Sequence, residues 1–380
     1  MPSRPLLSAL IVNYNTTELT GRCVASLQRQ RLRRPDGTVE SPQIVVVDNA
    51  SCSKERQALS GIGARVVYND ENRGYGAALN QAVEETDSEF FLFSNSDTCY
   101  VPDVLQTLVD EFRRLPRCGA VGPRLWWDHG QTFLLPPSDP VTLTRNLVET
   151  VLSRWQRGRQ WLDHAWRKRA LQYWRAQTPL PQPMLSGASL LTHKEILTAC
   201  GGFDEQFRLY YEDTDWCRRV RQKGYRLYCV PTANVIHLHN QSARQEIATT
   251  QQTGQMSEMR YFHKYYGTLL GGNIRRVAAQ WRVREEHARQ LDDWVDLGTC
   301  TDPPVFSLPV SLTSAHVWQL SPLSSCVPAI ARFLDTTDDL ILPASVWAQL
   351  RDGEFFAKLF SLPDLRCVQQ WRWRKASSSM

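Results

Sequence analysis

At 380 residues, with 42% hydrophobic residues and a formal net charge of +5, the chain has the composition of a globular protein with room for two domains. No apolar stretch approaches the roughly 20 residues that span a bilayer. The start, Met1–Pro5, leads straight into an apolar run and so predicts a first strand and not a secretory signal. The ten cysteines form no CxxC pair, which favours free thiols in a reducing cytoplasm.

Apolar runs alternate with helical patterns along the first 95 residues. The predicted strands are Leu6–Val12, Ile44–Val47, Arg65–Tyr68 and Phe90–Phe93, and the predicted helices between them are Glu18–Gln30, Lys54–Leu59 and Tyr75–Glu85. Continuous apolar strands separated by helices predict an α/β fold with a parallel sheet covered on both faces.

Polar residues follow three of these strands where each one ends. Asn15 follows the first strand, Asp48 the second and Asp97 the last. Ligands of open α/β sheets bind outside the carboxyl ends of the strands. Three polar strand ends on one edge therefore favour a single functional site over three unrelated turns.

The next segment is basic and rich in tryptophan. A long helix is predicted over 154–177, with Trp155, Leu162, Trp166 and Tyr173 on one face. The basic residues of this segment are accompanied by a single acidic residue, Asp163. Three interpretations stay open: a core helix with a solvated basic face, a helix on a membrane surface, or an oligomer contact. Nucleic-acid binding is not expected, because no module signature is present and the isoelectric point is 8.7.

The remainder predicts further elements and the domain boundaries. A strand is expected over 184–191, a helix over 214–223 and a strand over 225–230, with helical sequence to about 290. The expected organisation is a catalytic domain over 1–242 with a basic helical insertion at about 141–178, a helical extension over 243–296, and an accessory region over 297–380 that carries no readable motif.

Three short stretches carry candidate chemistry, each with an ordinary alternative. Asp97 can bind a divalent cation, although an Asp in Asn-Ser-Asp-Thr is also a common turn residue. The stretch 209–219 places Glu212, Asp213 and Asp215 where a helix begins; the helix dipole favours acids there, yet crowded carboxylates also suit a general base. His237 and His239 share one strand face and serve as metal ligands or as structural histidines.

A fourth stretch, 69–82, supplies an arginine and two glycines before a helix. Arg73 and the backbone N–H groups beside Gly74 would suit a diphosphate, although the spacing is not that of a Walker A loop.

The order of these stretches resembles the family 2 glycosyltransferases, and more narrowly their bacterial rhamnosyltransferase-like branch. The resemblance covers about 230 of the 380 residues, from Ser8 to His239, through the stretches SALIVNYN, IVVVDNAS, FLFSNSDT, AVGPRL, SGASLL, GGFDEQFRLYYEDTDWCRR and VIHLH. It implies a nucleotide-diphospho-sugar transferase (GT-A) domain with a Rossmann-like sheet, followed by a mainly helical extension and a small C-terminal region.

The resemblance also implies roles for single residues. Asn15 and Asp48 would contact the nucleoside, and Arg73 and Gly74 would lie near the ribose and diphosphate. Asp97 and His237 would hold Mg²⁺ or Mn²⁺. Asn95, on the donor side, stands where the family's metal motif has its first acid, which implies a smaller ligand set. Asp213 would be the general base, and Glu212 would position hydroxyls.

The implied reaction is an inverting, metal-dependent transfer of a sugar from dTDP-rhamnose or a UDP-sugar to a saccharide acceptor, which in this family is often lipid-linked. A cytoplasmic enzyme, at the inner face of the plasma membrane if 154–177 contacts lipid, follows from this. The competing hypothesis is a catalytically inactive protein that binds sugar nucleotides or glycans on the same fold.

Overall fold

A computed structural model describes residues 4–238, 250–267, 294–308, 315–335, 340–362 and 364–376. The chain divides into two compact units. The first unit comprises Met1–Leu125, Ser138–Val141 and Ala176–Gly272, and the second comprises Trp126–Pro137, Thr142–Arg175 and Asn273–Met380. Among the described residues, no helix is both long and apolar enough to cross a membrane.

The helices and strands are numbered along the whole chain. The strands are β1 (Leu7–Asn13), β2 (Leu32–Arg33), β3 (Val39–Glu40), β4 (Gln43–Asp48), β5 (Arg65–Tyr68), β6 (Phe90–Asn95), β7 (Thr98–Tyr100), β8 (Cys118–Trp126), β9 (Leu180–Gln182), β10 (Ser189–His193), β11 (Arg226–His237), β12 (Val295–Cys300), β13 (His316–Ser321), β14 (Ile330–Leu334), β15 (Gly353–Ser361) and β16 (Cys367–Lys375). The helices are α1 (Thr17–Gln28), α2 (Ser53–Leu59), α3 (Tyr75–Glu84), α4 (Val104–Arg114), α5 (Leu143–Leu152), α6 (Gln156–Trp174), α7 (Lys194–Cys200), α8 (Glu212–Gln222), α9 (250–267) and α10 (Ala344–Gln349).

The first unit is built on one large sheet in the order β5-β4-β1-β6-β10-β8-β11-β7, with β9 paired to β11. The strands and helices predicted up to residue 95 are confirmed, and β5, β4, β1 and β6 run parallel. Their apolar side chains, with those of α3 and α8, fill a core that includes Leu10, Val47, Phe93 and Trp216.

The parallel arrangement predicted from the first four strands does not continue beyond β6. Strand β10 pairs antiparallel to β6, and β7 and β9 pair antiparallel to β11. An apolar run shows that a strand is buried, but it does not show whether the strand runs parallel or antiparallel to its neighbours. The antiparallel strands therefore could not be predicted from the sequence. The strand expected over 184–191 lies at β10, and the strand expected over 225–230 continues to His237 as β11.

The second unit contains a five-stranded sheet in the order β12-β16-β15-β13-β14. One face carries an aromatic core that includes Phe306, Trp318, Trp371 and Trp373. Successive residues of a strand face opposite sides of the sheet, so Gln319 belongs to the other face, where its Oε1 accepts from Arg167 Nε of α6 at 3.1 Å.

The compact units divide the chain differently from the expected boundaries. Residues 142–175, expected as an insertion in the catalytic domain, group with the C-terminal sheet, because Arg167 bonds to Gln319 and Ser325 and packs 4.4 Å from the ring of Phe360. Conversely, α9 groups with the first unit. The helix expected over 154–177 corresponds to α6. It is preceded by a separate helix, α5, which was not predicted as an element of its own.

Candidate functional site

The carboxyl ends of β1 and β4 are joined by a buried asparagine. Asn13 and Asp48 are register partners at the ends of these parallel strands, and neither has exposed surface. Asn13 Nδ2 donates to Asp48 Oδ1 at 2.9 Å and contacts Ser51 Oγ at 3.0 Å. Thr16 Oγ1 lies 3.2 Å from Asn13 Oδ1 and 3.0 Å from Ser96 Oγ. A continuous chain of buried hydrogen bonds therefore runs from Asp48 to the residue before Asp97.

Asp48 and Asn15 both hold the loop that follows β4. Asp48 Oδ2 accepts from Arg56 Nε at 2.9 Å, and Asn15 Oδ1 accepts from the N–H of Cys52 at 2.8 Å. Asn15 has a φ of 53°, in the left-handed region that asparagine tolerates well. Because Asp48 is fully buried, the predicted contact with a base would require one of its present partners to move.

Arg73 and Gly74 precede α3. The N–H of Arg73 donates to Asn49 Oδ1 at 3.0 Å, and its side chain is exposed. Gly74 has a φ of 94°, and a Cβ there would lie 2.9 Å from the backbone of Arg208. Only glycine fits this position, where the loop before α3 passes directly against another backbone segment.

The predicted metal ligands face each other. His237 lies opposite Thr98 in the antiparallel β11–β7 pair, and the N–H of Leu238 donates to the carbonyl of Asp97 at 3.1 Å. These contacts place His237 Nε2 3.3 Å from Asp97 Oδ1 and 3.4 Å from Asn95 Nδ2.

This donor set fits a divalent cation that shares its coordination with a substrate. Among the described residues no group of three or more His, Cys, Asp and Glu side chains could hold a metal, so Asp97 and His237 would supply two ligands. Mg²⁺ and Mn²⁺ commonly take their remaining ligands from phosphate oxygens and water. An imidazole beside a carboxylate suits Mn²⁺ better than Mg²⁺. His239, the other histidine of this stretch, lies outside the described residues.

Glu212 and Asp213 form a carboxylate pair at the start of α8. Asp213 Oδ2 accepts from the N–H of Gly187 at 2.9 Å, and its Oδ1 accepts from the N–H of Thr214 at 2.6 Å and from Thr214 Oγ1 at 3.2 Å. Glu212 is 5% exposed, and its Oε2 is buried without a hydrogen-bond partner.

These surroundings affect the pKa values of the two carboxyl groups differently. Burial, and then the charge of Asp213, raise the pKa of Glu212 to about 8. Burial also raises the pKa of Asp213, against the opposing effect of the hydrogen bonds from Gly187 and Thr214. Hydrogen bonds to a carboxylate favour its charged form, so at neutral pH the charge of the pair belongs on Asp213 and the proton on Glu212.

Tyr75, at the start of α3, connects the acid pair with the predicted metal ligands. Its hydroxyl donates to Asn95 Oδ1 at 2.6 Å. Burial first, and then electrostatic interactions with the acidic side chains nearby, those of Glu212, Asp213 and Asp97, raise its pKa well above the usual value. Glu212 lies beside the start of the same helix, because a Cβ at Gly76 would be 3.4 Å from Glu212 Cβ.

Asp215, the third acid of this stretch, has a different environment. It is fully buried, and its carboxylate lies 2.7 Å from Arg219 Nε, 2.6 Å from Lys264 Nζ and 2.7 Å from the hydroxyl of Tyr265. Lys264 and Tyr265 belong to α9, so Asp215 fastens that helix to α8.

The structure thus gathers Asn95, Asp97 and His237 into one cluster and Glu212 and Asp213 into another, while Asn15 and Asp48 line the adjacent strand ends. The roles assigned to these residues stay predictions. The sequence analysis missed Asn13 and Tyr75. Asn13 directly follows the first predicted strand, and Tyr75 is the first residue of a predicted helix. The sequence alone does not show which residues these two side chains contact in the folded protein.

Comparison with known proteins agrees with this architecture. Residues 8–175 match the model of the family described as Glycosyl transferase family 2. The chain is 26% identical over 245 residues to an N-acetylglucosaminyl-diphospho-decaprenol L-rhamnosyltransferase of Mycobacterium tuberculosis, covering 61% of this chain and 76% of the relative. It is 25% identical over 216 residues to the O-antigen biosynthesis protein RfbC of Myxococcus xanthus, covering 53% of this chain and 15% of that one.

Among solved structures, a mannosyltransferase from Pyrobaculum calidifontis in complex with GDP-Man and Mn²⁺ is 17% identical, with a TM-score of 0.46 and 77% of each chain covered.

The sheet and the family match define a nucleotide-sugar transferase fold of the GT-A type, and the fold prediction is confirmed. Residues 8–175 are therefore similar to the family 2 glycosyltransferases, and the similarity of the chain to a rhamnosyltransferase and to an O-antigen biosynthesis protein agrees with the rhamnosyltransferase-like branch and with glycan biosynthesis.

The raised pKa of Glu212 predicts a pH-dependent stability. Between about pH 5 and pH 8 the folded chain keeps a proton on Glu212 that the unfolded chain releases, so the free energy of unfolding falls as pH rises. We expect Glu212→Gln to flatten this slope in denaturant titrations across that range. Glu84→Gln, at an exposed position of α3, is the matched control. An unchanged slope in the Glu212 variant would contradict the assignment of the proton.

The buried position of Asp215 predicts a large loss of stability on substitution. Asp215→Asn leaves Lys264 and Arg219 beside a neutral amide, and removing one partner of a buried ion pair costs about 3 kcal/mol or more. We expect urea unfolding to report a decrease of that size. The control is Glu18→Gln, which breaks an exposed pair with Arg22 and should change stability by less than about 1 kcal/mol. Similar effects of the two substitutions would show that Asp215 does not fasten α9.

Proposed function

We propose that this glycosyltransferase inverts the anomeric centre of its donor and transfers rhamnose from dTDP-rhamnose, or a related sugar from a UDP-sugar, to an acceptor hydroxyl. The proposed product is a cell-surface polysaccharide or glycolipid. The observation that carries the proposal is the carboxylate pair at the start of α8, with its proton on Glu212 and its charge on Asp213. Gly187, which bonds to Asp213, is followed by Ala188, whose carbonyl accepts from the N–H of Asn95 at 3.0 Å and so connects the pair to the cluster of Asn95, Asp97 and His237.

Asp213 is the proposed general base. A carboxylate held by the N–H groups of Gly187 and Thr214 is fixed in orientation and half-buried, so an acceptor hydroxyl can approach it. Removal of the hydroxyl proton lets the acceptor oxygen attack the anomeric carbon opposite the nucleotide. One displacement without an enzyme nucleophile inverts that carbon. Glu212, which carries a proton at neutral pH, would donate a hydrogen bond to a substrate oxygen and so position it.

The donor is proposed to lie across the strand ends, with its diphosphate near Asp97, His237 and Arg73. A divalent cation bound by Asp97 and His237 would neutralise charge on the departing diphosphate. The Arg73 side chain, which is exposed, would contribute a second positive charge to the same oxygens. Asn95, held by Tyr75, would orient His237 and leave room for the phosphates.

The relative from Mycobacterium tuberculosis supports rhamnose as the sugar and a lipid-carried saccharide as the acceptor, since its name specifies both. A cytoplasmic location, and assembly into a homo-oligomer, stay predictions. The competing hypothesis of an inactive binding protein gains no specific support, because the residues proposed as base and as cation ligands, Asp213, Asp97 and His237, are all present in the chain.

The test is nucleotide release from a panel of dTDP- and UDP-sugars, with Mn²⁺, Mg²⁺ or EDTA. We expect one preferred donor and loss of turnover in EDTA. Asp213→Asn should lower kcat by about 100-fold to 10,000-fold and leave donor affinity nearly unchanged. Asp97→Ala and Asp97→Asn should both weaken metal-dependent donor binding, and circular dichroism should show that they fold.

Asp70→Asn, an exposed acid in the same donor-side stretch, is the matched control and should retain activity. Turnover that survives EDTA would remove the cation from the proposal and keep the transfer. Full activity of the Asp213 variant would exclude Asp213 as the base. Absence of both turnover and binding across the panel would favour the inactive binding protein.

A further inference from the structure

Helices α5 and α6 of the second unit carry a cluster of exposed apolar side chains. Leu147, Val148, Val151, Trp155 and Trp161 are each between 45% and 59% exposed. No residue of α5 is buried, and positions 147, 148 and 151 repeat at the spacing of one helix face, while Trp155 directly precedes α6. Large apolar side chains concentrated in this way on a protein surface mark an interaction site.

Contacts at the junction between the two helices fix α5 relative to α6. Gly158, in the first turn of α6, packs so closely on the end of α5 that a Cβ there would lie 1.9 Å from the carbonyl of Leu152. Arg159 Nη1 donates to the carbonyl of Ser153 at 2.8 Å and so caps the end of α5. The exposed apolar side chains therefore belong to two helices that pack against each other at their junction, here called the helical corner (residues 143–174).

Positive charge surrounds the apolar cluster. Segment 142–175 contains eight Lys and Arg residues and two acids, a net charge of +6, whereas the whole chain carries +5. Arg157, Trp161 and Lys168 follow one another at spacings of four and seven, so they share a face of α6. The opposite face, with Trp166, is buried.

We propose that the helical corner formed by α5 and α6 is a docking surface for an anionic lipid bilayer. Tryptophan and aliphatic side chains beside arginine and lysine match the boundary between acyl chains and acidic headgroups. A second copy of this chain fits less well, because a symmetric contact would bring two surfaces with a net positive charge together. The inference extends the proposed function, since a lipid-carried acceptor resides in such a bilayer, but its test does not depend on glycosyl transfer.

The experiment is co-sedimentation of the full-length protein with vesicles of phosphatidylcholine alone or mixed with phosphatidylglycerol. We expect binding only to the mixed vesicles, and binding that weakens as salt is raised. Arg154→Glu with Arg157→Glu should weaken it by about 30-fold or more. Arg29→Glu with Arg33→Glu, at exposed positions of the first unit, makes the same change in net charge and should weaken it much less.

The apolar contribution is tested separately. Trp155→Ser with Trp161→Ser should weaken vesicle binding by about tenfold, whereas Val305→Ser with Ile341→Ser, which are 82% and 61% exposed, should have little effect. Equal binding to both vesicle types, or equal losses in the two charge variants, would overturn the proposal. A dimer that dissociates in the tryptophan variant, without vesicle binding in the parent chain, would assign the surface to a second copy. Transfer activity that persists without vesicle binding would overturn this inference and leave the proposed function intact.

Discussion

The hydrogen bond between the side chains of Asn13 and Asp48 is the constraint on which the strand-end site depends. An amide buried at the end of a strand costs about 1 to 3 kcal/mol for each polar group left unpaired, and Asn13 uses both its nitrogen and its oxygen. Through Thr16 the same network reaches Ser96, beside Asp97. The loops after β1 and β4 are thereby fixed to the loop that contains Asp97, which is the preorganisation that electrostatic catalysis at the proposed site would require.

The sequence was sufficient to predict the strand–helix alternation up to residue 95 and the family, because buried parallel strands are continuous apolar runs and the motifs keep a fixed order. It could not predict that β10 reverses direction, since side-chain patterns do not encode strand polarity. The different environments of the three neighbouring acids, Glu212, Asp213 and Asp215, could not be predicted from the sequence either. Asp215 lies two residues after Asp213, about 200° further around the helix axis, and meets Lys264 from a segment whose position the sequence does not specify.

The basic helix shows why periodicity alone was ambiguous. Trp155, Leu162, Trp166 and Tyr173 were expected on one face, yet the structure buries Trp166 and Tyr173 and exposes Trp155. The cause is the C-terminal sheet, which accepts Arg167 beside Gln319 and Phe360 and so determines which side of α6 turns inward. Helical spacing specifies which residues are neighbours, but the direction of burial follows from a partner far along the chain.

The ion pair between Asp215 and Lys264 also defines the smallest fragment that could keep the catalytic apparatus. A chain cut at residue 242, the boundary that motif coverage suggested, would lose Lys264 and Tyr265 and leave Asp215 with Arg219 alone. A carboxylate that had lost Lys264 and the hydroxyl of Tyr265 would then lie two residues from the proposed base. Loss of α9 after limited proteolysis would thus change the electrostatic surroundings of α8 without removing Glu212 or Asp213.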